Sequence, residues 1–288
     1  MCFSDRMIAK TLGAILSILF FDMVVTMSSF AEVSILEGLV INYKFENSTY
    51  DYSPNQNHAI LSGASFGHDR FGNPNSALVV APTTGVYSQA NVGIFGNASR
   101  TLSFWFRPQI DPSDGAGLIG WGISGWDAGV GRLSSINYSP SNIASENFGG
   151  TNIQFNGWYA DANVRTDPWS LSGQWNHLTV VYENSLPGIK IFLNGVQQTD
   201  RLNNNLESPY AVTTLNTIDT TLRVNANVHA PDFLGILGSY DDIRIYDRAL
   251  SFEEVSLIYA TESVPEPSAL SLLTVGLSVV LRRRRRTV

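Results

Sequence analysis

Short runs of residues that alternate between apolar and polar side chains constrain the fold of this chain most strongly. Segments 39–45 and 101–107 both carry an apolar residue at every second position. A period of two residues is that of a half-buried β-strand, because successive side chains of a strand point to opposite faces. Segments 189–193 and 241–246 are further strands of this kind, and 175–182 is rich in strand-forming residues. Turn-forming Gly, Asn, Ser and Pro separate most of these runs, which predicts an all-β, two-sheet antiparallel sandwich.

Two local signals predict where elements turn or begin. The Asn194-Gly195 pair lies between two strand-like segments, and both residue types tolerate the positive φ that a tight hairpin requires. Ser251 is followed three residues later by Glu254, which is the spacing of a helix capping box. The sequence therefore predicts a hairpin at the first position and one short helix at the second.

The N-terminal segment has the order of a targeting signal. Arg6 and Lys10 precede an apolar run at 12–21, and small residues around Ala31 then offer a cleavage site. This order is that of a secretory signal peptide, so residues 1–31 are predicted to be a helix that is removed on export. The only cysteine, Cys2, lies in this segment. The exported chain is therefore expected to have no disulfide and no thiolate metal site.

The C-terminal segment 262–288 has a second targeting pattern. A Pro-Glu-Pro tripeptide is followed by a mostly apolar stretch and then by five consecutive arginines. As a helix, the stretch from 269 to 281 would be roughly 20 Å long, which is short for a hydrocarbon core of about 30 Å. It is thus better suited to temporary membrane contact than to permanent anchoring. The residues that define the pattern include Pro265, Glu266, Pro267, Arg282, Arg283 and Arg284.

This C-terminal arrangement resembles the PEP-CTERM sorting signal of Gram-negative bacteria. The resemblance implies that the membrane protease exosortase recognises the tripeptide and removes the helix and the arginines. It also implies a location at the cell surface or outer membrane, or in the extracellular matrix. The alternative is an ordinary anchoring helix whose arginines remain on the cytoplasmic side.

The charge of the segment between the two ends excludes one class of partner. The whole chain has 18 Lys and Arg and 25 Asp and Glu residues. Removing the two basic residues of the signal peptide and the five terminal arginines leaves 11 basic residues, and removing the four acidic residues of both ends leaves 21 acidic residues. The net charge is then near −10. Nucleic acid needs a basic surface, so an uncharged ligand, or one that uses a cation, is expected instead.

Five pieces of the segment 32–261 occur in a recognisable order. They are 43–46 with 51–58, then 101–108, 175–182, 190–195 and 241–251. In this order they resemble the LamG-like, concanavalin A-like jelly roll. The resemblance covers about residues 38–260 and implies a jelly-roll sandwich as a single domain, while segment 110–171 matches no part of it.

Oxygen-bearing side chains form a candidate calcium site. Asp51, Ser53, Asn55 and Asn57 occur at every second position, and Ca²⁺ binds six to eight oxygen atoms. The resemblance implies a calcium ion between this loop and the last strand. There, strand alternation places Asp241 on the face of Ile243, where a carboxylate needs a partner.

The predicted ligands of a structural Ca²⁺ are Asp51, Asn55 and Asp241, with Asp242 as a substitute. The alternative is a loop of Asx turns whose aspartate accepts backbone N–H groups.

Aromatic residues in the unmatched segment are the candidate ligand-binding groups. They lie among Gly, Asn and Asp, and flat rings beside amides and carboxylates suit the faces and hydroxyls of sugars. The alternative is that these rings fill the core of the sandwich. The predicted ligand-binding residues are Trp121, Trp126, Trp158 and Tyr159, of which Trp126 and Trp158 are expected to be the most exposed.

Catalytic motifs are absent or misplaced. Glucan hydrolases of the resembled superfamily carry Glu-x-Asp-x-x-Glu on one strand, because glycoside cleavage needs two carboxyl groups, and this chain has no such run. His177 lies inside a strand-like segment and is expected to be packed and hydrogen-bonded. Residues 115–120 fit G-x-G-x-x-G but lack the strand before and the helix after that a dinucleotide site requires. We therefore predict no catalytic residues.

The sequence thus predicts an exported surface or matrix protein with a non-catalytic jelly-roll domain that binds polysaccharide or another glycan. Its other partners would be exosortase during processing and the membrane before cleavage. Two alternatives stay open at this point: a structural or adhesive module that binds protein, and a divergent glycoside hydrolase or lyase.

Overall fold

The computed structural model of the protein describes residues 35–112, 115–123, 132–138, 152–157, 161–168, 170–185, 188–199, 214–226, 228 and 235–265. The predicted signal peptide, and the predicted sorting signal from Glu266 onward, lie outside these residues. Within the described ranges, no helix has the length and apolar character needed to cross a membrane.

The strands form two antiparallel sheets. One has eight strands in the order β13–β12–β11–β6–β15–β4–β3, with β1 also paired to β15, and the other has seven in the order β10–β9–β8–β7–β14–β5–β2. The strands are β1 (Leu39–Tyr43), β2 (Ala59–Ser62), β3 (Ser65–Gly67), β4 (Ala77–Val80), β5 (Gly85–Asn91), β6 (Arg100–Pro108), β7 (Ala116–Gly122), β8 (Leu133–Tyr138), β9 (Ile153–Asn156), β10 (Ala162–Val164), β11 (Asn176–Glu183), β12 (Gly188–Leu193), β13 (Val196–Gln197), β14 (Thr221–Val224) and β15 (Gly238–Tyr246).

The main core lies between the two sheets. Leu102, Phe104 and Phe106 of β6 point into it from the eight-stranded sheet, and Ile136 and Phe155 do so from the seven-stranded sheet. Burial of large apolar side chains is the main favourable contribution to folding. The strand alternation predicted for 101–107 is therefore confirmed, and with it the two-sheet antiparallel sandwich.

The predicted hairpin and helix are both present. Asn194 and Gly195 adopt φ values of 49° and 75°, and the flanking β12 and β13 pair in an antiparallel register. Helix α1 (Phe252–Glu262) begins with the complete capping box of Ser251 and Glu254. Its buried side chains pack against apolar residues of β1, β11, β12 and β15, so α1 covers the outer face of the eight-stranded sheet. The helix ends one residue inside the segment that the sequence assigned to the sorting signal.

A β-bulge in β15 reverses the predicted orientation of one candidate calcium ligand. Asp242 has a φ of 43°, and the register of β15 against β6 shifts between Asp241 and Arg244. The extra residue interrupts the alternation of side chains. As a result Ile243 packs in the core, whereas Asp241 pairs with Trp105 on the outer face beneath α1. The predicted placement of Asp241 on the face of Ile243 is therefore wrong.

Residues 115–120 match the residue pattern of the dinucleotide motif, but most of them belong to a strand. β7 begins at Ala116 and continues to Gly122, and it pairs along its length with β8. A phosphate-binding motif needs these glycines in a turn that leads into a helix. The structure therefore agrees with the prediction that the match is accidental.

Candidate functional site

A cluster of charged residues lies between α1 and the eight-stranded sheet. Arg70 binds Asp241 through one guanidinium nitrogen, and another donates to Oδ2 of Asp242 at 2.7 Å. Nε of Arg70 also donates to the carbonyl oxygen of Glu262 at 2.8 Å. The carboxylate of Glu262 lies 2.6 Å from a guanidinium nitrogen of Arg244. The last residue of α1 is thereby joined to β15.

Trp105 and His177 extend this cluster across β6 and β11. Nε1 of Trp105 donates to Oε2 of Glu262 at 2.7 Å, and Nε2 of His177 lies 2.9 Å from Oγ of Ser103. Burial lowers the pKa of His177 to about 3, whereas burial raises the pKa of Glu262 to about 7. His177 is therefore neutral at neutral pH. It is packed and hydrogen-bonded, as the sequence predicted.

These charged residues hold the helix on the sheet and do not form an open site. Arg70, Asp241 and Glu262 are almost fully buried, and their charges are paired with one another. Ions remain in a protein interior only when they are paired and hydrogen-bonded. The shifted pKa values of the cluster follow from its burial under α1. The other sheet is not covered by this helix.

The loop that contains Asp51 is held by that residue's own carboxylate. Oδ1 of Asp51 accepts hydrogen bonds from the backbone N–H groups of Asn42 and Ser53, and Oδ2 accepts from the hydroxyl of Ser53 and the N–H of Asn57, all at 2.8 Å. Asn55 is exposed, and its Nδ2 donates to the carbonyl of Val40 at 3.2 Å. This is the Asx-turn arrangement that the sequence left open as the alternative.

The four predicted calcium ligands therefore do not form one ligand set. Asp51 is occupied by four donors, and Asp241 and Asp242 share the guanidinium of Arg70. Among the described residues, no group of three or more His, Cys, Asp or Glu side chains is arranged to hold a metal. The donors present do not fit Ca²⁺ in this arrangement, because a cation would have to displace Arg70. Calcium binding stays a prediction that the geometry does not support.

Trp121 is in the core and cannot contact a sugar. Its side chain has no exposed surface, and its Nε1 donates to the carbonyl of Ile94 at 3.0 Å. It lies on β7 at a position that faces the opposite sheet, so its predicted role in ligand binding is wrong. The alternation of β7 turns Gly120 and Gly122 outward and Trp121 inward.

The outer face of the seven-stranded sheet brings residues of different strands into two rows. Ile119, Ile136 and Phe155 pack in the core, so their neighbours in sequence point away from it. Strand register aligns one row across six strands: Ile60, Tyr87, Arg223, Gly120, Ser135 and Asn156. The second row consists of Gly117, Asn137, Gln154 and Asn163.

The part of this face on β7 to β10, here called the amide half, is lined by recessed polar side chains. Ser135, Asn137 and Gln154 expose between 0 and 5% of their surface. Nδ2 of Asn137 donates to Oε1 of Gln154 at 3.2 Å. Oγ of Ser135, Oδ1 of Asn137 and Oδ1 of Asn163 have no hydrogen-bond partner among the described residues. Such atoms are uncommon in folded proteins. They could accept hydrogen bonds from hydroxyl groups only in a state in which this part of the face is open to a ligand.

The part of the face on β2, β5 and β14, here called the open half, presents an aromatic ring. Tyr87 exposes 41% of its surface and Ile60 exposes 36%. The two residues lie directly opposite each other, and Arg223 is opposite Tyr87 on the other side. Side chains directly opposite on antiparallel strands are in contact distance. The open half therefore combines an apolar surface with a charged donor.

The connections that contain the predicted loop aromatics start at one end of this face. β7 ends at Gly122 and β9 ends at Asn156, and both pair with the beginning of β8. The sequence between β7 and β8 contains one of the predicted residues, and the sequence between β9 and β10 contains two. These residues are Trp126, Trp158 and Tyr159, and all three lie outside the described residues, so their role stays a prediction.

Sequence reasoning missed the residues of the sheet face itself. Asn137, Gln154 and Tyr87 were not predicted. The sequence-based prediction considered aromatic residues in loops and did not consider residues on the outer side of strands. A signal was present, since in β8 and β9 amide side chains alternate with Ile136 and Phe155. Outward amides between inward apolar residues indicate a polar face, although only the register shows that Asn137 and Gln154 meet.

The seven strands of this sheet contain no Asp or Glu within their bounds, and Arg223 is their one charged residue. Glycoside cleavage uses two carboxyl groups about 5 to 10 Å apart. The strands can therefore supply hydrogen bonds, an aromatic surface and a guanidinium group to a ligand. They cannot supply the carboxylate pair.

Comparison with known families identifies one match. The family described as the concanavalin A-like lectin/glucanases superfamily matches residues 82–256. This range contains β5 to β15 and the beginning of α1, together with both halves of the outer face except β2 with Ile60. No curated protein matches the chain.

Solved structures with the same fold include carbohydrate-bound ones. Domain 4 of AbnA, a GH43 extracellular arabinanase from Geobacillus stearothermophilus in complex with arabinotriose, has 18% identity and a TM-score of 0.56, over 77% of this chain and 98% of that one. The binding domain of botulinum neurotoxin serotype D has 14% identity and a TM-score of 0.53, over 81% of this chain and 53% of that one. A complex of the serotype D ligand-binding domain with N-acetylneuraminic acid has 12% identity and a TM-score of 0.53, over 80% and 52%. At these identities the likeness establishes the fold alone.

Proposed function

The chain belongs to the concanavalin A-like lectin/glucanase superfamily, and we propose that it is an exported protein that binds carbohydrate without cleaving it. The binding site is the outer face of the seven-stranded sheet. The amide half provides hydrogen bonds to sugar hydroxyls, and the open half provides Tyr87 as a surface for the apolar face of a sugar ring.

One observation carries this proposal: the amide half contains buried polar atoms that nothing in the described residues satisfies. Ser135 Oγ and Asn137 Oδ1 are recessed on a face that is turned away from the core. An unpaired buried polar atom costs about 1–3 kcal/mol. A ligand rich in hydroxyl groups would remove this cost once the face opens to admit it, because each hydroxyl can both donate and accept a hydrogen bond.

A binding role without catalysis agrees with the chemistry of the face. The strands that would underlie the ligand carry amides, hydroxyls and glycines but no carboxylate within their bounds. A divergent hydrolase would need an acid and a base or nucleophile beside the bond that is cleaved. The fold itself occurs in both binding modules and hydrolases, so the argument depends on these residues.

The carbohydrate-bound relatives favour a glycan over a protein as the partner. One was solved with arabinotriose and another with N-acetylneuraminic acid. They share the fold with this chain, and their ligands indicate that this architecture accommodates sugars. The purely structural or adhesive role remains the second candidate, and it predicts binding to protein rather than to glycan.

The two ends of the chain support export as a further part of the proposal. The order of charged, apolar and small residues in 1–31 is that of a signal peptide, and residues 265–267 with the terminal arginines resemble a sorting signal. In this proposal exosortase processes the chain while its C-terminal helix is in the membrane. The domain is then placed on the cell surface or outer membrane, or in the extracellular matrix.

The test is a glycan array probed with the domain, followed by calorimetry on the best ligand. Wild-type protein should bind at least one glycan, and the Tyr87→Ala/Asn137→Ala variant should lose this binding. Tyr52→Ala is the matched control, because Tyr52 exposes 53% of its surface outside the seven-stranded sheet. A second variant, Trp126→Ala/Trp158→Ala, tests whether the predicted loop aromatics also contribute to glycan affinity.

The outcomes separate the candidate functions. Loss of binding in the Tyr87/Asn137 variant with an unchanged melting temperature supports the site. Retention of full affinity in that variant would place the site elsewhere. Absence of binding to any glycan would favour the adhesive role, and release of new reducing ends from a bound glycan would show that the protein is an enzyme.

A further inference from the structure

Arg223 is the one charged residue within the bounds of the seven strands that form the proposed binding face. It lies on β14, near the middle of the sheet, and its side chain is exposed. The neighbouring residues of β14, Leu222 and Val224, are buried in the core. The guanidinium group is thus presented on the outer face.

Within the described residues Arg223 has no ion pair and no side-chain hydrogen bond. Other arginines of the domain are engaged: Arg70 binds two aspartates, and Arg248 binds Glu254 through two nitrogens at 2.8 Å. Arg223 is thus a guanidinium group on a sheet face, without a partner among the described residues, in a chain with an excess of acidic residues. It offers five N–H donors in a planar arrangement and no acceptor.

The positions on the two sides of Arg223 differ in their exposure. On one side it is opposite Tyr87, and on the other it is opposite Gly120, which has no side chain. Ser135 follows across the next strand pair. Gly120 and Ser135 are both buried, and Cβ of Ser135 lies 2.8 Å from the position that a Cβ of Gly120 would occupy. The exposed approach to Arg223 is therefore from the side of Tyr87 and Ile60. A sugar ring that lies on Tyr87 would have Arg223 beside it.

We propose that this face binds a glycan that carries a carboxylate group, with Arg223 as the residue that recognises the carboxylate. The inference rests on the proposed carbohydrate-binding function and narrows its ligand class. A guanidinium group forms two parallel hydrogen bonds with a carboxylate, which gives both energy and orientation. Tyr87 and Ile60, which are both exposed, then contact the neutral part of the same sugar or of the next one.

The charge of the rest of the domain limits the kind of acidic glycan that fits. A net-acidic protein repels a densely charged polyanion. One guanidinium group on an otherwise uncharged face is matched by one carboxylate per site. The proposal therefore specifies a locally recognised acidic sugar, and not a general affinity for anionic polymers.

The experiment uses pairs of glycans that differ only in the charge of the carboxyl group. Suitable pairs are short oligosaccharides: digalacturonate with its methyl ester, a hyaluronan tetrasaccharide with its carboxyl-reduced form, and sialyllactose with its methyl ester; arabinan and dextran serve as neutral references. Wild-type protein should bind the carboxylate member of at least one pair about tenfold more tightly than its partner. Arg223→Gln should reduce the affinity for the carboxylate member to that of the neutral member.

Lys190→Gln is the matched control, because it removes one positive charge from an exposed strand position in the other sheet. It should leave the preference unchanged, and both variants should melt at the wild-type temperature, since both side chains are exposed. Arg223→Lys should keep only part of the preference, because an ammonium group lacks the planar pair of donors.

Failure of the inference and failure of the proposed function have different signatures. Equal binding to both members of every pair, binding to the neutral references alone, or a preference that survives in Arg223→Gln would overturn carboxylate recognition and leave carbohydrate binding intact. Absence of binding to all of these glycans would overturn both.

Discussion

Nε1 of Trp105 donates a 2.7 Å hydrogen bond to Oε2 of Glu262, a residue 157 positions later in the chain. This bond joins the central strand β6 to the last residue of α1. Glu262 also faces Arg244 at 2.6 Å, and its carbonyl accepts from Arg70. A single residue at the end of the helix therefore connects three distant parts of the sequence.

Removal of the Glu262 side chain should destabilise the domain strongly. Glu262→Ala leaves Arg244 without its carboxylate and Trp105 without its acceptor, and loss of one partner from a buried ion pair costs about 3–5 kcal/mol. Urea unfolding followed by tryptophan fluorescence measures the change. Glu253→Ala, in the exposed first turn of the same helix, is the control and should change stability far less. Equal effects of the two substitutions would contradict the proposed role of the cluster.

The pH dependence of stability should report on the same residue. Burial raises the pKa of Glu262 to about 7, above the ordinary value of about 4.3. The folded state thus binds a proton more tightly than the unfolded state, so this contribution is fully present below about pH 4.3 and is lost as the pH rises through 7.

The measurement compares the wild type with Glu262→Gln from pH 7 to 4.5. The stability of the wild type relative to the variant should increase by up to about 1.4 kcal/mol for each unit of acidification. Hydrogen bonds from its own backbone N–H and from the Ser251 side chain lower the pKa of Glu253, so Glu253→Gln should change the slope in the opposite direction. Parallel pH profiles for wild type and Glu262→Gln would refute the prediction. His177, whose pKa is lowered by burial, is common to both proteins and cancels in the comparison.

Ser135→Ala should separate binding from stability. Oγ of Ser135 is buried and has no partner among the described residues, so its removal should not lower the free energy of unfolding and should raise it by up to about 1–3 kcal/mol. Glycan affinity should fall about fivefold, because a hydrogen bond worth about 1 kcal/mol is lost. Ser134→Ala is the matched control: its Oγ is also without a partner, but it lies opposite Trp121 on the inward side. If both variants bind like the wild type, Ser135 is not part of the site.

Asp51→Asn tests whether the first loop depends on a metal or on hydrogen bonds. The carboxylate accepts four hydrogen bonds, two on each oxygen. An amide NH₂ in place of one oxygen cannot accept from Asn57 and Ser53, so stability should fall by about 1–3 kcal/mol. The loss should be the same in calcium and in EGTA. A melting temperature of the wild type that drops in EGTA would instead support the calcium site that the sequence suggested.

Several parts of the fold were predictable because their causes are local. The alternation in 101–107, the Asn194-Gly195 turn and the capping box at Ser251 each depend on residues within a few positions of one another. All three are present in the structure. The order of such pieces was enough to indicate the sandwich and the family.

The errors have a different physical origin. Asp241 faces α1 and not the core because a bulge at Asp242 adds one residue to the strand. The alternation of apolar and polar residues in the sequence does not show where such a bulge occurs. Trp121 is buried because its strand is central in the sheet and its inward positions face another sheet. The glycines on both sides of Trp121 led to the prediction that it lies in an exposed loop.

The amino-acid sequence by itself determined the strand-rich sandwich, the hairpin, the helix start and the acidic character of the domain, because periodicity, turn chemistry and charge act over short distances or over the whole composition. Only the tertiary structure decided that Tyr87, Arg223 and Ser135 share one row and that Asn137 meets Gln154. Those neighbours come from strands far apart in the chain. Their alignment is fixed by the register of backbone hydrogen bonds and by the packing of apolar residues between them, which no local pattern encodes.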